Sequence, residues 1–187
     1  MKRYIWITAA LVIVISVIMV SRTGSPEVLT VNRAVTIDAS SRFVFAQLND
    51  FRNWPGWSVW YPAADEGNMA YHNGGLGTGG AVVFPEVGKG KKGGKFTIIR
   101  SNPYQSIELA LDFGDLFSVH HIQIGMQDGK SVVSWSAGFK NKGWKSFIYR
   151  LKAGRELQQS LTNLANVAVL MEKHGISLVE PGLLDAF

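Results

Sequence analysis

The feature that most restricts this chain is a change of hydrophobic period near residue 140. From Val28 to Gly138, apolar residues recur at every second position in short runs separated by glycine, asparagine and proline. From Lys145 to His174 they recur at every third or fourth position. The first period is that of strands with one buried face, and the second that of an amphipathic helix. Short strands with tight links form a mostly antiparallel sheet, and one long helix after them has a single stripe to bury against it. The expectation is an α+β domain of about seven antiparallel strands covered by one long C-terminal helix.

The first strand, VLTVNRAVTID, places Leu29, Val31, Val35 and Ile37 on one face. Arg33 falls on that face too, either at a wet end of the sheet or paired inside. Asp38, Ser40 and Ser41 are N-cap candidates for a short helix from about Arg42 to Asn49, with Phe43, Val44 and Leu48 toward the core. DFRNWPGWSVWYP follows, interrupted at Pro55-Gly56 and crowded with Phe51, Trp54, Trp57, Trp60 and Tyr61. Six further strands are predicted at 69–72, 81–84, 95–100, 106–113, 117–126 and 131–138. Asp128-Gly129 marks a tight hairpin between the last two. The helical stripe comprises Phe147, Leu151, Leu161, Leu164, Ala168 and Met171, with Gly154 a weak point and His174-Gly175 the stop. The tail, 176–187, is apolar without a clear period.

Ahead of this domain, residues 4–20 carry no charge, glycine or proline, and Lys2 and Arg3 precede them. A helix of that length spans roughly 26 Å, enough for a hydrocarbon core. The basic start puts the N-terminus in the cytoplasm and the rest across the membrane. The expected organisation is an anchor at 1–21, a linker at 22–27, the domain at 28–175 and the tail. A cleaved signal peptide is the competing reading, disfavoured because Arg22 lies between Ser21 and Thr23 and Pro26 blocks a cut after Ser25. Both readings put the domain outside the cytoplasm, with the anchor in the inner membrane and the domain in the periplasm for a Gram-negative source.

Zero cysteines exclude disulfide scaffolds, thiolate nucleophiles and cysteine-ligated metals. Net charge is +5, but Lys2 and Arg3 flank the apolar segment, leaving +3 beyond it. Lys89, Lys91, Lys92 and Lys95 crowd one glycine-rich loop instead of spreading over a face, so no nucleic-acid partner is expected. The loop is a solvated turn or, for an anchored domain, a contact with anionic headgroups.

The order of elements, and NRAVTIDASSRFVFAQLNDFRNWPGWSVWYP in particular, resembles the opening of START-like proteins of the polyketide cyclase/dehydrase (SRPBCC) superfamily. YHNGGLGTGG before a strand, SNPYQSIEL, SVVSWSAG and LTNLANVAVLMEK continue the resemblance from about residue 28 to 175. It implies a helix-grip fold: a seven-stranded sheet curled around the long helix, two short helices after the first strand, and an internal cavity for lipids, sterols, polyketides or other apolar molecules. No catalytic residue and no cofactor carries over from it.

Candidate sites follow from the residues. Gly75, Gly77 and Gly80 spell GxGxxG, but a strand-like AVVF follows where dinucleotide binding needs a helix N-terminus, so a glycine hairpin is expected. His120 and His121 point to opposite faces of their strand and cannot share a metal, and no metal site is expected. Ile122, Ile124 and Met126 put the even-numbered side inward, His120 with them, as a ligand-facing group or a satisfied core polar residue. Trp57, Trp60 and Tyr61 either touch a ligand or fill the core, as does the inward Trp135. The expected function is a membrane-anchored domain binding an apolar or amphipathic small molecule. The alternatives are an envelope scaffold with an unknown protein partner, or a cyclase, dehydratase or hydrolase built on His120 with Arg33 or an acid.

Overall fold

The computed structural model describes residues 28–61, 69–85, 93–114, 116–140 and 145–175. Seven strands form one antiparallel sheet: β1 (Val28–Ile37), β2 (Ala70–His72), β3 (Ala81–Phe84), β4 (Gly94–Asn102), β5 (Ser106–Asp112), β6 (Phe117–Gln127) and β7 (Lys130–Lys140). Their spatial order is β1-β7-β6-β5-β4-β3-β2. From β2 onward, consecutive strands are neighbours. Only β1 is paired out of sequence, beside β7. The chain between β1 and β2 therefore passes from one edge of the sheet to the other, and it carries helix α1 (Ser41–Leu48) and a 3₁₀ turn (Phe51–Gly56) on the way. Helix α2 (Lys145–Lys173) follows β7 and is 29 residues long, about 43 Å at 1.5 Å per residue.

The sheet and α2 share one core. Ala153, Leu157, Leu161, Leu164 and Ala168 form the buried stripe of the helix, facing inward side chains such as Val31, Ile122, Val133 and Trp135. The predicted stripe needs one correction: Leu151 is 51% exposed and Leu157 is buried in its place. The two lie six positions apart, about 240° around the helix, so only one can face the sheet. The side chains of Leu29 and Phe147 lie outside the described set.

Helix α1 closes one end. The Ser40 amide donates to the Glu172 carboxylate at 3.0 Å, the Gln47 amide group lies 2.9 Å from the Met171 sulfur, and buried Ser131 Oγ donates to the Ala39 carbonyl at 2.7 Å. These contacts join α1 to the far end of α2 and to the start of β7.

The turns follow their residues. Asp128 and Gly129 both have positive φ, 51° and 78°, as a two-residue primed turn between Gln127 and Lys130 requires. Met126, predicted inward, is 56% exposed, because the alternation carries it past the last covered position of β6. The GxGxxG glycines build a 3₁₀ turn (Asn73–Gly75) and a tight link into β3, with no helix after it. A Cβ on Gly80 would lie 2.5–2.7 Å from backbone atoms of Leu76.

The apolar segment 4–20, the linker 22–27, Lys89, Lys91, Lys92 and the tail lie outside the described residues. Among those described, no helix is long and apolar enough to cross a membrane.

Because a rigid backbone cannot yield as a side-chain tip can, Gly80→Ala is expected to cost about 1–3 kcal/mol. Gly154→Ala meets only the mobile end of Arg33 at 2.7 Å and gains about 1 kcal/mol of helix propensity. Urea unfolding of the two variants should therefore shift in opposite directions.

Candidate ligand-binding cavity

A cavity of about 290 Å³ lies between the N-terminal half of α2 and the sheet, partly open to solvent. Its apolar walls are Val59, Leu111, Phe113, Leu116, Phe139 and Ala153. Trp60, Ser118, His120, Lys152 and Glu156 supply its polar atoms. The space exists where the helical stripe carries Ala153 in place of a leucine.

The strand register brings the inner polar groups together. Ser118 and His120 are two apart on β6, hence on the same inward face. Leu111 of β5 and Phe139 of β7 stand opposite Ser118 on either side. Trp135 of β7 is paired with Ile122, diagonal to His120 and within reach of it.

The result is a chain of hydrogen bonds with a defined direction. The Trp135 indole Nε1–H lies 3.0 Å from His120 Nδ1. An indole N–H only donates, so Nδ1 must carry a lone pair and the proton of the neutral imidazole sits on Nε2. That Nε2–H donates to Ser118 Oγ, 2.9 Å away. His120 is 1% exposed. Burial, and secondarily the charge of His121, pushes its pKa down from 6.5 to about 3. Protonation at Nδ1 would also set two N–H groups against each other.

His120 is therefore a neutral, fully engaged imidazole. One ring nitrogen is occupied by Trp135, and the other has its proton pointed at a serine. A general base needs a free lone pair within reach of the reacting proton, and this imidazole has none facing the cavity. A cyclase, dehydratase or hydrolase built on His120 would pair it with an acid or with Arg33. That residue is exposed on β1, its Nη1 donating to the Asn32 carbonyl at 2.7 Å and its Nη2 lying over Gly154. Arg33 is not part of the cavity wall, and its position on the apolar face of β1 is the wet one.

The aromatic run divides. Phe51, Trp54 and Trp57 are buried and stack on one another, on Phe96 and on Trp135. Tyr61 is buried, with its hydroxyl 3.1 Å from that of Tyr71. Trp60 alone of the run reaches the cavity. Two bonds from α2 hold its loop: Ser160 Oγ accepts the Val59 amide at 3.2 Å, and Asn163 Nδ2 donates to the Trp57 carbonyl at 3.1 Å. The Trp60 indole donates to Glu156 at 3.0 Å, and its ring packs edge-on against His120 and Trp135, each 5.4 Å between centroids. Lys152 lies 3.6 Å from Glu156 at the mouth.

Thus Trp60 and His120 line the cavity, and Trp57, Tyr61 and Trp135 lie behind it in the core. Lys95 is exposed on β4. Ser118, Lys152 and Glu156 were missed from the sequence. Ser118 was within reach, since the alternation that turns His120 inward turns Ser118 inward as well. Among the described residues no group of three or more acidic or histidine side chains could hold a metal.

A family model described as polyketide cyclase / dehydrase and lipid transport matches residues 28–169. A search of curated proteins found none that matches the chain. Among solved structures, the Aha1 dimer from Colwellia psychrerythraea aligns with a TM-score of 0.54 at 13% identity, over 75% of this chain and 96% of that one. Protein CV1439 from Chromobacterium violaceum aligns with a TM-score of 0.56 at 17% identity, over 74% and 96%. DynU16, from the dynemicin biosynthetic locus, aligns with a TM-score of 0.54 at 12% identity, over 78% of this chain and 48% of that one. At these identities the likeness is one of fold.

Two predictions come from the hydrogen-bond chain. Trp135→Phe leaves His120 Nδ1 buried without a hydrogen-bond partner in either tautomer, at a cost of about 1–3 kcal/mol beyond lost packing. The Trp57 indole N–H has no partner among the described residues, so Trp57→Phe should cost less in the same denaturant titration. The second concerns acid. Because the folded pKa of His120, about 3, lies below the ordinary 6.5, the unfolded chain takes up a proton first as pH falls. Stability should then drop by about 1 kcal/mol per pH unit from 6.5 toward 3, and His120→Asn should remove that part of the dependence in urea titrations at pH 7 and pH 5.

Proposed function

The chain belongs to the polyketide cyclase / dehydrase and lipid transport family, and from that premise we propose that its domain binds an apolar or amphipathic small molecule in the cavity beneath α2. The observation that carries this reading is the cavity itself: about 290 Å³ with largely apolar walls, close to the lower end of ordinary ligand sites, roughly 300–1,000 Å³. Affinity would come from desolvating the ligand against Leu111, Phe113, Leu116 and Phe139. The few polar groups would set its orientation. No covalent step is required, and a neutral His120 with both nitrogens engaged supports binding over acid–base catalysis.

We further propose that residues 4–20 anchor the domain in the inner membrane with the folded part on the extracytoplasmic side. The support is the uncharged apolar run after Lys2 and Arg3. Lys89, Lys91, Lys92 and Lys95 are then proposed to meet anionic headgroups. The short linker would keep them near the surface.

Native mass spectrometry of the full chain, released from detergent in the gas phase, should show an added mass that organic extraction removes. Ala153→Phe, which places a ring in the cavity, should lack it while keeping the wild-type circular dichroism. An empty wild-type protein that takes up no fluorescent fatty acid would reject the binding reading. For topology, the absence of cysteines makes a single probe clean. Gln123→Cys, at an exposed position on β6, should react with an impermeant maleimide on intact spheroplasts; labelling only after lysis would place the domain in the cytoplasm.

A further inference from the structure

Resting on the reading that the cavity holds a small molecule, we propose that it selects ligands bearing an uncharged hydrogen-bond acceptor, a carbonyl above all, at the buried end, and that Ser118 is the group that donates to it. The argument is one of direction. Trp135 can only donate, so His120 can only accept at Nδ1 and only donate at Nε2. Ser118 Oγ therefore accepts a hydrogen bond from His120 Nε2–H, 2.9 Å away, and its own hydroxyl hydrogen remains to be donated. Ser118 is 2% exposed and lines the cavity. Among the described residues, the contact with His120 is the one hydrogen bond that the Ser118 hydroxyl makes. A serine hydroxyl would ordinarily rotate to donate or accept as needed, but here its accepting role is already set from behind.

A buried donor without an acceptor is costly. A ligand carbonyl would complete the chain Trp135 → His120 → Ser118 → ligand. Each bond in such a chain polarises the next, so the terminal donor is strengthened. The surroundings also restrict the charge of the acceptor. The cationic member of the wall is Lys152, whose side chain is 70% exposed and sits beside Glu156 at the mouth. The inner end offers Leu111 and Phe139 on either side of Ser118. A carboxylate there would be desolvated with no cation beside it, whereas a ketone, ester or amide oxygen carries no charge and needs only the one hydrogen bond. The ligand is thus oriented carbonyl-inward, with any charged group toward the mouth.

The test uses a matched pair, 2-nonanone and 2-methyl-1-nonene, in which C=O is replaced by C=CH₂ of nearly the same shape. Each is used to displace a fluorescent fatty-acid analogue from the full chain held in amphipol. Comparing the ketone-to-alkene ratio between variants cancels partitioning into the amphipol. Wild type should favour the ketone over the alkene by roughly 2–13-fold more than Ser118→Ala does, as a net gain of about 0.5–1.5 kcal/mol implies. Ser118→Thr, which keeps the hydroxyl, should retain the preference. Trp135→Phe frees the imidazole tautomer, lets Ser118 donate to His120, and should weaken the preference without touching Ser118. An equal ratio in wild type and Ser118→Ala, with both probes binding, overturns the acceptor rule and leaves the binding reading standing. Failure of the fatty-acid analogue itself to bind overturns both. ¹⁵N spectra of the imidazole supply a check independent of ligand: a proton on Nδ1 at pH 7 would contradict the assigned direction.

Discussion

Everything in this structure depends on burying one stripe of a long helix against one face of a curled sheet. Helix α2 brings Leu157, Leu161, Leu164 and Ala168 to that interface, all of them fully buried. At about 25 cal/mol per Å² of apolar surface, such burial dominates the favourable side of folding. The sheet has to curl to meet it, and the pairing of β1 with β7 lets the strand that opens the fold lie beneath the helix that closes it. The cavity is a local exception to this packing. Where α2 offers Ala153 in place of a larger side chain, a space is left that is walled in part by side chains of β5, β6 and β7.

A second consequence concerns polarity. A strand that alternates inward and outward residues puts whatever is at an inward position into a dry place. Ser118 and His120 are polar at two successive inward positions of β6. Their burial is tolerable because Trp135, on the neighbouring strand, donates to the ring and the ring donates to the serine. The same arrangement removes His120 from acid–base chemistry. What makes it acceptable in the core, two satisfied nitrogens and no charge, is what makes it unfit as a catalyst. On the proposed reading, the polar groups of this cavity orient and select a ligand.

The fold was legible in detail because its information is local. Alternation in 106–113 and 117–126, the Asp128-Gly129 turn and the stripe in 145–173 each depend on residues adjacent in sequence, and each element formed within a few residues of its expected place. The errors arose at the margins of periodicity. Met126 continues an apolar pattern beyond the surface that covers it, and Leu151 lies on the side of α2 turned away from the sheet; a pattern reveals neither where its cover stops nor which of two competing apolar residues faces it. Arg33 shows the same limit. Alternation placed it on the apolar face of β1, but only the passage of α2 at Gly154 decides that its guanidinium leaves toward solvent.

The candidate site was legible in part. Alternation alone turns His120 and Ser118 inward, and composition alone removes thiol and disulfide chemistry. These follow from the sequence, because strand geometry and side-chain chemistry are properties of a few residues. Only the tertiary structure could separate Trp60, which reaches the cavity, from Trp57 and Tyr61, which fill the core, since that depends on how far a loop is drawn toward Ser160 and Asn163 of a helix about a hundred residues away. Only the tertiary structure could set the direction of the hydrogen bonds, because the donor that fixes the imidazole proton stands on a different strand. The sequence determined that Ser118 and His120 share the inward face of their strand. Distances between elements far apart in the chain decided which of them a ligand would meet, and in what role.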